Sequence, residues 1–283
     1  RCTFGTATGY NDILDFAGGL RPGPILQVYD CLFLGGADDG LDLDGADAHV
    51  EGCVFTNFRS SENESSSNAV ATGQDGGHAS EVWAARNVFV DNDHAALLKE
   101  GGFLFAENNT LVRSGLAAIQ FGEPEGTGSG LPGRGAAMTN CLFWDNASVF
   151  EDYFQEPRPA YGPNQVTVDW SVLPAAWHTL GQGNLDADPL LVGAEDLHVQ
   201  PMSAARGAGA WGLDIGADVP AGAAVSGEPG PVTHRTQAVL TVGGPGITHY
   251  RYSLNQLNGP WSQETSVQVP IQLLTDPHYA AGL

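Results

Sequence analysis

Lysine is almost missing from this chain. Lys99 is the only one, and lysine and arginine together number 11 against 33 aspartates and glutamates, for a formal charge of −22 over 283 residues. A surface of that sign repels nucleic acid and anionic membranes and attracts cations, and no basic cluster relieves it, so a nucleic-acid partner is not expected. No apolar run reaches the roughly 18 residues that a membrane-crossing helix needs. Charged residues of either sign amount to only 16%, whereas glycine stands at 38 and proline at 17. That balance favours turns and strands over helices. The length suits one large domain and a smaller one. The chain opens at Arg1 with neither an initiator methionine nor a signal peptide, which reads as a mature or partial piece of a longer product.

What the chain does have is a repeat. A small or polar residue, any residue, then Phe or Leu recurs as Cys2–Phe4, Cys31–Phe33, Cys53–Phe55, Asn87–Phe89, Asn109–Leu111, Cys141–Phe143 and, in degraded form, Ser171–Leu173. The intervals are 29, 22, 34, 22, 32 and 30 residues. A fixed minimum with variable insertions is what stacked coils give, because each coil must return to the same lateral position and spare residues bulge out. An alternating strand precedes most motifs, at 25–29, 49–51, 81–84, 103–107, 136–139 and 165–169. A second strand follows most of them, at 12–16, 39–43, 68–72, 94–98 and 115–119. Such alternation buries one set of side chains and exposes the other.

The turns Gly52–Phe55, Arg86–Phe89 and Glu107–Val112 resemble the asparagine-ladder turns of the right-handed parallel β-helix found in pectate lyases and in secreted bacterial β-helix repeat proteins. Residues 183–217 are similar to the last segment of such helices. The resemblance implies an all-β fold, a parallel β-helix over residues 1–217, and an extracellular or bacterial cell-surface location. In a stack the Asn amides bond from coil to coil and Cys fills the same small slot. Cys31 and Cys53 would come close, yet parallel side chains suit a disulfide poorly, so free buried thiols are expected.

Residues 218–231 read as a linker. Beyond it, 232–283 carries strand patterns at 238–242, 249–254 and 266–271, resembling a partial immunoglobulin-like or fibronectin-like sandwich, with 274–279 similar to a tyrosine-corner approach. The chain stops before that sandwich would close. Truncation, or an edge supplied by another chain, is therefore expected. Two polar excursions, 56–80 and 122–136, are candidate walls of a groove or mere surface ornaments.

Stacking the second strands puts Leu14, Leu41, Val70, Ala96 and Ala118 inside and Asp15, Asp42, Ala71 and Leu97 outside, next to Ala17, Asp44, Gly73 and Lys99. Asp12 and Asp39 occupy the turn ahead of the strand. Asp12, Asp15, Asp38, Asp39, Asp42 and Asp44 then share one surface, where a hard dication such as calcium would relieve their repulsion. The resemblance implies more. In one pectate-lyase family an Asp-Asp-x-x-Asp cluster, matched here by Asp38, Asp39 and Asp42, holds calcium with another Asp from the coil before. A later lysine, here Lys99, is the base that removes a proton beside the sugar carboxylate. Arg86, Arg113 and His94 are candidate sugar contacts. Trp83 and Trp144 lie in or beside repeat strands, where a core or coil-edge place competes with stacking on a sugar.

Two functions follow as expectations. One is a secreted or surface scaffold, calcium-stabilised, that recognises polysaccharide or assembles with other surface chains, its C-terminal module included. The other is a calcium-dependent lyase acting on an acidic polysaccharide. The residues also allow an acidic face that is solvated and binds nothing, and they leave open whether the chain is an enzyme.

Overall fold

The structure, a computed structural model, describes residues 1–18, 26–60, 66–122, 131–157, 162–222, 224–227, 236–245, 247, 250–251, 261–263 and 266–270. These residues fall into two compact units, Arg1–Val219 and Pro220–Leu283. Among the described residues almost every element is a strand, and helix is confined to two short 3-10 turns, Ala175–Leu180 and Ala210–Gly212.

The first unit is an all-β solenoid of three parallel sheets, an architecture compatible with a parallel β-helix. One sheet holds Thr3–Phe4, Leu32–Phe33, Val54–Thr56, Val88–Val90, Thr110–Val112 and Leu142–Trp144 in that order. The next holds Leu14–Asp15, Leu41–Asp44, Asn68–Asp75, His94–Leu97, Ala117–Gln120 and Phe150–Glu151. The third holds Leu26–Tyr29, Ala48–Glu51, Glu81–Ala85, Phe103–Glu107, Gly135–Thr139 and Gln165–Asp169. The chain visits the three in rotation, one strand of each per coil, so consecutive coils pair in parallel. They are called here the phenylalanine, acidic and aromatic sheets.

The repeat motif sets the phenylalanine sheet. Phe4, Phe33, Phe55, Phe89, Leu111 and Phe143 stand in one register. The first four rings stack with centroids 4.6, 4.4 and 5.2 Å apart. Each buried ring removes enough apolar surface from water to stabilise by about 2 kcal/mol. Two residues earlier the small polar ladder runs coil to coil. The amide of Cys31 donates to Cys53 Sγ at 3.4 Å, that of Cys53 to Asn87 Oδ1 at 2.9 Å, and that of Asn87 to Asn109 Oδ1 at 2.9 Å. All four cysteines are free thiols, and burial pushes Cys53 up to about 11 and Cys141 up to about 12.

The corners explain residues that composition alone did not. The residue before each ladder position turns in the left-handed region: Asp30, Gly52, Arg86, Asn108, Asn140 and Trp170, with φ between 50° and 67°. A second left-handed corner follows the phenylalanine strands at Asn57, Asp91, Arg113 and Asp145. Non-glycine residues pay a steric cost there of roughly 1 kcal/mol, which coil-to-coil bonds must offset.

The last coil is closed by short bridges from Val172 to Leu142 and Leu185. The segment beyond folds back, and Val199, Ala205 and Ile215 pack on Val112, Leu142 and Val172. Asn108 Nδ2 donates to the carbonyls of Asp214 and Gly216 at 2.9 and 3.1 Å, which fixes that return.

One register expectation is corrected. Ala96 pairs with Ile119, not Ala118, so Ile119 is the inward residue and Gln120 lies opposite Leu97. Gly115 and Leu116 are spent in the turn, where their amides bond the carbonyls of Asn92 and Asp93. In the second unit, Ala224–Ser226, Gln237–Gly243 and Ser266–Pro270 form an antiparallel sheet, and Tyr250–Arg251 pairs with Trp261–Ser262. Ala224–Ser226 falls inside the stretch read as linker; its alternating Ala-Val-Ser forms a strand despite the flanking glycines. The tyrosine-corner stretch 274–279 and the centre of the second polar excursion, 123–130, lie outside the described residues.

Candidate functional site

The acidic sheet brings the aspartates together as its register requires. Asp15 lies directly opposite Asp42, and Leu14 opposite Leu41. Like charges so placed destabilise a parallel pair. In the turn before these strands, one oxygen each from Asp12, Asp38 and Asp39 lies within 4.8 Å of the others. The Asp39 amide donates to Asp12 Oδ1 at 3.1 Å, tying the first coil to the second. Asp44 lies opposite Gly73.

Lys99 joins this group across an intervening coil. Its Nζ is 3.9 Å from Asp42 Oδ1, with both side chains mostly buried. The intervening strand makes this feasible, because Ala71 stands between Asp42 and Leu97 in the register, and Gly73 is the next outward residue. A Cβ at Gly73 would collide with the Asp44 carboxylate. The Lys99 backbone is held at the strand end, its amide donating to Thr72 Oγ1 at 3.0 Å and its residue bridging to Pro132.

Burial dominates the electrostatics. It pushes Asp42 up to about 6, with Lys99 opposing and Asp44, Asp12 and Asp15 adding to the rise. It raises Asp39 well above its ordinary value, reinforced by Asp42, and raises Asp12 as well. Asp42 Oδ1 is buried and has no hydrogen-bond partner among the described residues. Hard carboxylate oxygens at this separation match calcium, whose ligands at about 2.3–2.6 Å span up to about 5 Å across the ion. The donor set therefore fits a calcium ion, with Asp12, Asp38 and Asp39 as the residues that would hold it.

The candidate sugar contacts occupy other places. Arg86 and Arg113 sit at the two left-handed corners. Each reaches back one coil, Arg86 to Glu51 Oε1 at 3.0 Å and Arg113 to Asp91 Oδ2 at 2.8 Å. The Arg113 hydrogen bond holds Asp91 below the usual carboxylate range. His94 is buried, its Nδ1 2.9 Å from Asn68 Oδ1 and its Nε2 3.1 Å from Glu151 Oε2. Burial lowers its pKa against the pull of Glu151. The structure thus brings Lys99 to the aspartates, and it sets Arg86 and Arg113 in coil-clasping ion pairs and His94 inside the stack.

Sequence reasoning missed Asn68. Its backbone amide and Nδ2 both donate to Asp39 Oδ1, at 3.1 and 2.7 Å, so it fixes the most buried carboxylate of the group. Asn68 aligns with Asp39 and His94 in the stack, and a polar residue at that turn position in three successive coils was the available signal.

No family model, curated protein or solved structure matches the chain. Among the described residues no helix is long and apolar enough to cross a membrane.

Proposed function

We propose that the protein is an extracellular or cell-surface β-helix scaffold, akin to the pectate-lyase-like solenoids, that recognises glycan or assembles with other chains and takes up calcium at Asp12, Asp38 and Asp39. The observation that carries the reading is the convergence of carboxylates from two coils within 4.8 Å. The first coil is otherwise attached by two strands of only two residues, Thr3–Phe4 and Leu14–Asp15, ahead of the four-residue strand Leu26–Tyr29. A cation between Asp12 and Asp38–Asp39 would staple that coil and remove the repulsion that now opposes it. The C-terminal unit is, in this reading, an immunoglobulin-like or fibronectin-like module.

Thermal unfolding in calcium and in chelator tests it. Calcium should raise the transition temperature of the native chain and leave that of Asp39→Asn unchanged. Equal transitions with and without calcium would overturn the cation.

A second reading, a lyase on an acidic polysaccharide, is favoured by the Lys99–Asp42 contact of 3.9 Å. A lyase base must be free to accept a proton, whereas here Lys99 Nζ is held 3.9 Å from the Asp42 carboxylate. Calcium that draws the carboxylates away would be needed first. Assay against a panel of polyuronates, following the ultraviolet absorbance of unsaturated ends, decides. Calcium-dependent product lost in Lys99→Ala establishes the lyase, and no product removes it.

A further inference from the structure

The outer face of the aromatic sheet carries a row of rings that the acidic site does not use. Gln27, His49, Trp83 and Phe105 are consecutive in register along four coils. Tyr29 flanks the row, 45% exposed, its ring 5.3 Å from that of His49. Trp83 and Phe105 stack with centroids 5.3 Å apart and planes 10° from parallel, and both remain partly exposed. The outward positions of a solenoid sheet are normally polar, so three rings in one line with Tyr29 beside them are, among the described residues, a partly exposed surface rather than a core.

Two carboxylates beside this row, Glu51 and Glu81, are paired with cationic or imidazole groups. Glu51 meets His49 Nε2 at 2.9 Å and Arg86 at 3.0 Å, and burial notwithstanding those bonds keep its carboxyl below the usual range. Glu81 meets Arg134 at 2.9 Å, and the Arg134 guanidinium lies 4.8 Å over the Phe103 ring. On a chain of charge −22, a strip with internally paired charges selects an uncharged occupant. The partly exposed rings and the 45% exposed Tyr29 supply apolar contact, and Gln27, His49 and Glu51 supply planar polar groups beside them. That mixture fits sugar rings, which are apolar on their C–H faces and ringed by hydroxyls. Because the row repeats once per coil, the occupant is itself extended and repetitive.

We propose that the Tyr29–His49–Trp83–Phe105 strip binds a neutral polysaccharide chain lying along the stack. This deepens the scaffold reading by naming the glycan class and its surface, and it does not depend on the cation. The experiment is affinity electrophoresis and tryptophan fluorescence with the full chain on neutral polymers (a β-glucan, xylan, mannan and chitin oligomers), in calcium and in chelator. The native chain should be retarded by at least one polymer, with Tyr29→Ala and Trp83→Ala each weakening binding about tenfold or more. Trp83→Phe should keep most of it, and Trp170→Ala, at an exposed tryptophan outside the strip, all of it. Retention that survives both alanine variants, retention by polyuronates alone, or self-association through this face in sedimentation without any glycan binding would each overturn the proposal. A chain that binds glycan without responding to calcium would refute the cation while leaving the strip intact.

Discussion

Lys99 Nζ reaches to 3.9 Å from Asp42 Oδ1 across a coil whose facing residues are Ala71 and Gly73. The pair exists because the intervening strand contributes almost no side chain there. Removing the lysine leaves a mostly buried carboxylate beside Asp12, Asp15 and Asp44 without its cation, and a buried charge stripped of its partner is costly. Lys99→Met is expected to destabilise by about 2 kcal/mol at pH 7.5 in chelator and by clearly less at pH 5, where Asp42 takes up a proton instead. Urea unfolding at the two pH values measures both. Equal losses would show that the lysine acts through packing of its stem alone.

The pH dependence of the native chain follows from Asp42 itself. Its folded pKa, pushed up to about 6 by burial, lies above the ordinary aspartate value of 3.8. The folded state therefore binds its proton more tightly than the unfolded chain does. The stability this contributes is complete below about pH 4 and is lost as pH rises through about 6. Asp39 and Asp12, also raised, act in the same direction. Asp91 and Glu51, held low by arginines and a histidine, act in the opposite one. The difference between native and Asp42→Asn chains isolates the first effect. In chelator, Asp42→Asn should be the more stable at pH 7.5, by on the order of 2 kcal/mol, and the gap should close by pH 4. A constant gap across that range would mean that Asp42 is not the titrating group.

The motif spacing made the phenylalanine sheet legible, because one residue type had to fill the same buried slot in every coil. Phe4 through Phe143 align as the intervals require. The acidic columns were legible for the same reason. The stacked columns also put Lys99 in line with Asp44 and Gly73, two coils from Asp42; that its ammonium reaches Asp42 was not legible, because only the folded register shows how Ala71 and Gly73 open the way. What Arg86 and Arg113 hold within the fold was not legible either, for a backbone reason: each sits at a left-handed corner, Arg86 before a ladder position and Arg113 after a phenylalanine strand, and its side chain reaches the carboxylate one coil back. The turn at Gly115 and Leu116 shifted the register by one, as alternation alone cannot count turn residues.

Calcium should act locally before it acts globally. The amides of Ile13, Leu14 and Phe16 bond the carbonyls of Asp39, Gly40 and Asp42, at 2.9, 3.2 and 2.9 Å, and they report directly on the first coil. Fraying of that coil costs less than global unfolding, so exchange there is governed by its own opening. Hydrogen exchange at these three amides should slow about tenfold or more in saturating calcium, while the amides of Val88 and Thr110 stay unchanged. Asp12→Asn should abolish the slowing. Uniform protection across all coils would place the ion elsewhere.

The polar ladder offers a contrast in which chemistry and size predict different orders. Asn109 is buried, and its Oδ1 accepts from both the amide and Nδ2 of Asn87, at 2.9 and 3.0 Å, while its own Nδ2 donates to Ala84 O at 2.8 Å. Cys53 occupies the same slot one motif before Asn87. Its sulfur accepts only a weak bond from the Cys31 amide at 3.4 Å, and it donates to Glu51 O at 3.5 Å. Leucine at 109 keeps the branched shape, adds volume, and strands two donors and a carbonyl in the interior, each worth about 1–3 kcal/mol. Alanine at 53 loses volume but strands little. If polar satisfaction governs the ladder, Asn109→Leu costs about 3 kcal/mol or more and Cys53→Ala about 1. Equal costs, or a reversed order, would show that packing governs it instead. Denaturant midpoints of the two variants, measured in the same buffer, decide between them.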